Sequence, residues 1–131
     1  IAGLEGIGTR RVPDSEGDFG FEVYLMFDDI SKVAAFHEKL NALNVNCGAR
    51  TGTYPQYNRD YVRSGLLHHP QLSPFKDEKE WPAEGYRAED FPRTEALTKS
   101  YIALPIGRLY TAEDADYIGD SVAAVHAQVF G

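Results

Sequence analysis

Three side chains stand where they could bind an anionic small molecule: Arg50, and then Tyr54 and Tyr57, across the step from a short strand-like segment into an aromatic loop. A guanidinium holds a carboxylate or a phosphate through two parallel N–H···O contacts, and nearby phenol hydroxyls add donors beside it. The competing reading is a surface arginine paired with one of the 20 Asp and Glu residues. Other reactive residue types are less well arranged. His37 and His126 each fall alone on a helical pattern, with no second histidine one turn away, and read as solvated helix surface. His68 and His69 are adjacent, so in an extended loop they point apart, and no metal site is expected from the four histidines. Cys47 has no motif supplying a histidine and an acid, and no serine occupies a nucleophile elbow. Gly3, Gly6 and Gly8 neither follow a strand nor lead into Gly-Lys-Ser/Thr, so they are not a phosphate loop. Cys47 is expected in a packed interior, and no catalytic residue is assigned.

Such groups need a scaffold, and 131 residues suffice for one compact domain with an ordinary core. At 43% hydrophobic and 25% charged residues the composition is that of a folding, globular chain. Thirteen basic against 20 acidic residues give a net charge of −7, which disfavours nucleic acid and anionic lipid surfaces as partners. A single cysteine excludes an intrachain disulfide, and no apolar run is long enough to span a bilayer; a soluble, reducing, cytoplasmic setting is expected. The chain opens at Ile1 and its only methionine, Met26, falls inside a strand pattern, so its left edge reads as a cut or processing point.

Residues 1–18 read as a connector, because Pro13-Asp14-Ser15-Glu16-Gly17-Asp18 is turn chemistry. Residues 19–27 read as a strand with Phe19, Phe21, Val23, Leu25 and Phe27 on one face, and with Tyr24 and Met26 giving the other face an apolar character as well. Asp28, Asp29 and Ser31 are candidate N-caps for a helix carrying Val33, Phe36, Leu40 and Leu43, which ends near Asn44 and leads toward a possible short strand. In residues 51–92 five X-Pro steps interrupt any long period, yet Tyr54, Tyr57, Tyr61, Phe75, Trp81, Tyr86 and Phe91 are too many rings for a solvated linker. A long irregular loop packed on a surface is expected there. Residues 93–99 then predict a short helix and residues 101–104 a strand stopped by Pro105-Ile106-Gly107. Thr111 with Asp114 starts a closing helix with a stripe of Ala115, Ile118, Val122, Val125 and Val129. The sum is an α+β fold: a small, mainly antiparallel sheet, helices on one face, and a long loop rich in aromatic residues and proline.

The run Phe91-Pro92-Arg93-Thr94-Glu95-Ala96-Leu97-Thr98-Lys99-Ser100-Tyr101-Ile102-Ala103-Leu104-Pro105-Ile106-Gly107, followed by Leu109-Tyr110-Thr111-Ala112-Glu113-Asp114-Ala115-Asp116-Tyr117-Ile118, resembles the end of the DegT/StrS sugar aminotransferases. Cys47-Gly48-Ala49-Arg50 and Tyr54-Pro55 are similar to that family's Gly-Val-x-x-Arg-x-x-Tyr-x-Pro region, with Gln56-Tyr57 where many members carry a histidine. The resemblance spans about residues 19–129 and covers only the family's C-terminal small domain. It implies that residues 19–131 belong to a fold type I transaminase that uses pyridoxal 5'-phosphate to move an amino group from an amino acid, usually glutamate, to a keto sugar. It implies further partners: a large cofactor domain, absent from this chain, and a second subunit in a homodimer. None of Lys32, Lys39, Lys76, Lys79 or Lys99 matches the family's Schiff-base lysine, so the isolated chain is expected to bind no cofactor and to be inactive. Arg50, Tyr54 and Tyr57 are then expected to face the substrate cleft. The alternative is a stand-alone ferredoxin-like binding or regulatory module.

Overall fold

The computed structural model describes residues 3–49, 55–65, 69–72 and 85–131. These fall into two compact units, residues 1–51 with 99–131, and residues 52–98.

The first unit is built on a four-stranded antiparallel sheet in the order β1-β2-β4-β3, formed by β1 (Ile7–Thr9), β2 (Glu22–Phe27), β3 (Gly48–Ala49) and β4 (Tyr101–Pro105). Its register pairs Val23 with Leu104 and Leu25 with Ile102, and pairs Ile7 with Phe27 on the edge side. Directly opposed residues share a face, so Ile7, Val23, Leu25, Phe27, Ile102 and Leu104 line one side of the sheet. Because β2 and β3 both run antiparallel to β4, they are parallel to one another, and the chain crosses between them through α1 (Val33–Ala42) with β4 inserted in the gap. The second long helix, α4 (Ala112–Phe130), lies beside α1, and both contribute to the apolar side of the sheet. Leu25, Phe36, Leu40, Ile102, Val122 and Val125 are fully buried in this layer. The expected α+β architecture, antiparallel sheet with helices on one face, is the one observed.

The helix ends explain why the layer closes so sharply. Asp29 accepts hydrogen bonds from Ser31 N (2.9 Å) and Ser31 Oγ (2.7 Å) and starts the 3-10 turn Ile30–Lys32 that feeds α1. α1 stops in a Schellman motif: Asn44 takes φ = 57°, Asn44 N donates to Asn41 O (2.9 Å), and Val45 N donates to Leu40 O (3.1 Å). The accompanying apolar contact is between Val45 and Leu40, both buried. α4 begins with a reciprocal capping box, in which Asp114 N donates to Thr111 Oγ1 (3.2 Å) and Thr111 N donates to Asp114 Oδ2 (2.7 Å). Tyr117 donates to Leu43 O near one end of the pair, and Lys32 donates to Val129 O at the other. The start of each helix is therefore tied to the end of its neighbour, which makes them antiparallel.

Three expectations need correction. The segment read as a connector includes β1, and Ile7 is part of the core. A period-two sequence pattern lasting only three residues inside a glycine-rich stretch gives too little signal to distinguish from turn chemistry. The strand begins at Glu22 rather than at Phe19; Phe19 is 91% and Phe21 61% exposed, so the aromatic alternation continues beyond the residues that have a partner strand. Phe21 nevertheless accepts from Ile106 N (2.7 Å) through its carbonyl, just past the last paired residues. The α4 stripe holds from Ile118 onward, but Ala115 is exposed and Ser121 is buried in its place.

In the second unit, the described part of residues 51–92 has the irregular character expected of it. Its described residues form short helical pieces: 3-10 turns at Gln56–Asn58, Pro70–Leu72 and Ala88–Asp90, and α2 (Asp60–Ser64). Gly65 at φ = 63° ends α2 in the left-handed region, where a residue without Cβ is unstrained. α3 (Pro92–Lys99) starts with proline in the first turn, where the missing N–H costs no hydrogen bond.

Candidate functional site

Of the three residues singled out for substrate binding, Tyr57 is described, whereas Arg50 and Tyr54 lie outside the described residues. Tyr57 sits in the 3-10 turn Gln56–Asn58, held by Asn58 N donating to Pro55 O (2.8 Å). Its ring stacks on Phe91 with centroids 4.7 Å apart and planes at 13°, and Tyr86 meets Phe91 edge-on at 5.4 Å and 72°. These rings, with Pro55, Val62 and Thr94, wall a cleft of about 590 Å³ that exposes mostly apolar atoms. Such a volume suits a small ring-bearing ligand held by stacking, with a few polar groups at its edge.

The Tyr57 hydroxyl is already committed. It donates to a carboxylate oxygen of Glu95 on α3, and this bond, reinforced by desolvation and by the carboxylate charge, raises the phenol pKa to about 12. Glu95 is four residues beyond Phe91, and Glu95 N donates to Phe91 O (3.0 Å), so the carboxylate and the stacked ring lie on the same side of the chain as it enters α3. The hydroxyl expected from sequence to be available to a ligand is therefore engaged by Glu95, and Tyr57 lines the cleft beside the Phe91 ring. Sequence reasoning did not single out Glu95 or Tyr86. The spacing of Phe91 and Glu95 is the signal that points to the first; nothing local points to the second, which reaches the cleft through an irregular segment.

The remaining reactive side chains have structural duties. His37 is half-buried and its Nε2–H donates to Cys47 O (3.2 Å), while Asn41 donates to His37 O (3.1 Å). His126 stacks on Phe130 with centroids 4.6 Å apart, and its Nε2–H donates to Glu5 O (2.8 Å). Both are expected from sequence as solvated helix surface; each instead meets a main-chain carbonyl, and His37 Nε2 also lies 3.0 Å from Asn41 Nδ2. Cys47 is buried, as expected, and burial pushes its thiol pKa up, the opposite of what a nucleophile needs. Among the described residues no group of His, Cys, Asp or Glu has metal-binding geometry.

A pyridoxal phosphate site needs a lysine free to form a Schiff base and donors around a phosphate. Lys32 donates to Val129 O (3.0 Å) above the Phe130 ring, and Lys39 donates to Gln128 Oε1 (3.0 Å); both clamp α1 to α4. Neither fits that role, and Lys99 ends α3 with an interaction of its own. The described residues do not form a site for the cofactor, and no chemical step is assigned through it. Among them, no helix is long and apolar enough to cross a membrane.

Compared with known proteins, the chain matches no family model, and no curated protein matches it significantly.

Proposed function

We propose that this chain is the small, substrate-closing domain of a cytoplasmic pyridoxal-phosphate-dependent transaminase that moves an amino group from an amino acid, most simply glutamate, to a keto sugar. The observation that carries the reading is the ordered run of residues 91–118. It falls on a helix that starts with Pro92, a strand closed by Pro105, a tight turn in which Tyr110 N donates to Gly107 O (3.0 Å), and a helix opened by the Thr111–Asp114 capping box. That is the order in which the resembled family carries the corresponding motifs.

In this role the chain supplies walls rather than reacting atoms. When bound, the cofactor provides the electron sink for amino transfer, and a closing domain excludes water and positions the substrate. The Tyr57–Phe91 stack offers a flat apolar surface to a sugar ring or its carrier, and Glu95 locks the Tyr57 ring in place by holding its hydroxyl. Arg50, beside this turn in sequence, is assigned to the substrate's anionic group. The Schiff-base lysine and the phosphate-binding residues are assigned to a large domain, and the working unit to a homodimer.

The test is kinetic, on the protein expressed from the whole reading frame that encodes this chain. Tyr57→Ala removes the stacking surface and is expected to raise the keto-sugar KM about tenfold or more with little change in kcat, as loss of a ground-state contact does. Tyr57→Phe keeps the ring and is expected to stay within about threefold of the parent. Arg50→Ala is expected to raise the KM of the amino donor or the sugar. Unchanged kinetics in Tyr57→Ala and Arg50→Ala would remove this wall from the substrate site.

A further inference from the structure

The second unit holds another cleft, of about 480 Å³, in which Arg63, Arg87, Asp60, Ser64, Gly85 and Tyr86 form the lining. In a chain of net charge −7, two arginines lining one concave surface need a reason. Arg63 lies near the end of α2, and among the described residues no carboxylate is within ion-pair distance of it. Arg87 pairs with Glu89 at 3.0 Å, but the two side chains are 62% and 69% exposed, so water already screens this pair and an arriving oxyanion displaces it at little cost. The Ser64 hydroxyl is used locally, donating to Asp60 O (2.6 Å). Gly85 takes φ = 71°, a turn that brings the chain past the carbonyl of Arg63 and sets Tyr86 and Arg87 against the end of α2.

Tyr86 lines this cleft and also the apolar cleft of Tyr57 and Phe91, so one residue joins a basic pocket to a stacking surface. We propose that the basic cleft is a subsite for an oxyanion, carboxylate or phosphoryl, carried by a ligand whose flat apolar part lies on the Tyr57–Phe91 wall. Each guanidinium presents paired N–H donors to the planar or tetrahedral oxygens of such a group. Asp60 sets the strength: among the described residues the lining has two arginines and one carboxylate, a charge of +1, which attracts an anion yet lets it leave. The subsite requires neither the cofactor nor the transaminase reading, so it stands or falls by itself.

Titration of the full 131-residue chain with phenyl phosphate, benzoate and phenol, followed by the amide resonances of Arg63, Gly85 and Arg87, tests this. Saturable shifts at these residues are expected with phenyl phosphate, benzoate or both, and weaker ones at the same concentration with phenol. The tighter of the two anions identifies the group. Arg63→Gln and Arg87→Gln are each expected to weaken binding about tenfold, Arg63→Lys by less, and Asp60→Asn to tighten it. Both arginines are at the surface, and an unchanged amide spectrum elsewhere shows that the variants remain folded. Phenol binding as tightly as the anions, neither anion saturating the shifts, or affinity unaffected in both Arg→Gln variants would overturn the proposal.

Discussion

Tyr57 carries the most informative pair of neighbours in the molecule, a ring on one side and a carboxylate on its hydroxyl. Its phenol is raised from the ordinary 10 to about 12 because ionisation would destroy the bond to Glu95 and place a second negative charge beside it. A group whose pKa rises on folding contributes stability that is complete below its unfolded value and lost as pH climbs through its folded value. The Tyr57–Glu95 bond is thus expected to contribute fully below pH 10 and to fade between about 10 and 12. Ultraviolet titration of Tyr57 against a Glu95→Gln variant checks this: the late-titrating tyrosine should move back toward 10, and its persistence in the variant would contradict the assignment. Asp114 has the opposite sign. The Thr111 amide and hydroxyl hold its carboxyl below the usual carboxylate range, so its contribution is present above the unfolded pKa and lost as pH falls through the folded one. At this scale the sequence was legible where partners are close in the chain, as with Thr111 and Asp114. It was not where they are distant: Glu95 is 38 residues from Tyr57, and the carbonyls bound by His37 and His126 lie 10 and 121 residues away.

Elements were legible in proportion to their length and to the chemistry of their ends. α1 and α4 announce themselves through apolar stripes and caps, and Thr111→Ala is expected to lower stability by about 1 kcal/mol in urea unfolding. Leu25→Ala, which empties a fully buried position of β2, should cost about 2–5 kcal/mol. Glycine positions separate two cases. A Cβ on Gly119, mid-α4, would meet nothing within 4 Å, so Gly119→Ala should stabilise by about 0.5–1 kcal/mol. Gly6 has φ = 76° and a Cβ there would stand 2.7 Å from Phe130 Cε1, so Gly6→Ala should destabilise by about 1–3 kcal/mol. Opposite shifts in thermal midpoint for these two variants check the packing of the N-terminal segment on α4. That segment was misread because Ile7–Thr9 owes its strand conformation to β2 beside it and not to its own residues.

On the scale of the whole molecule, the succession of β2, α1, β3 and β4 follows from patterns in the sequence, while the sheet order and the boundaries of the loop region do not, since strand order is set by pairing between distant segments and the described loop rings are placed by contacts between rings. Large apolar side chains remain outside the core of the first unit: Phe19, Phe21 and Leu109 are mostly exposed. Phe19 packs little in this unit, and replacing it by Ser should therefore leave the stability of this chain within about 0.5 kcal/mol of the parent. The central claim, that this fold closes over a transaminase site, is tested most directly by amino transfer from glutamate to a nucleotide-linked keto sugar. The assay compares the product of the whole reading frame, loaded with pyridoxal phosphate, with the 131-residue chain alone. Turnover is expected from the former, weakened through KM in Tyr57→Ala, and none from the latter. Turnover by the 131-residue chain alone, or a whole product that neither binds the cofactor nor transfers an amino group, would contradict the claim.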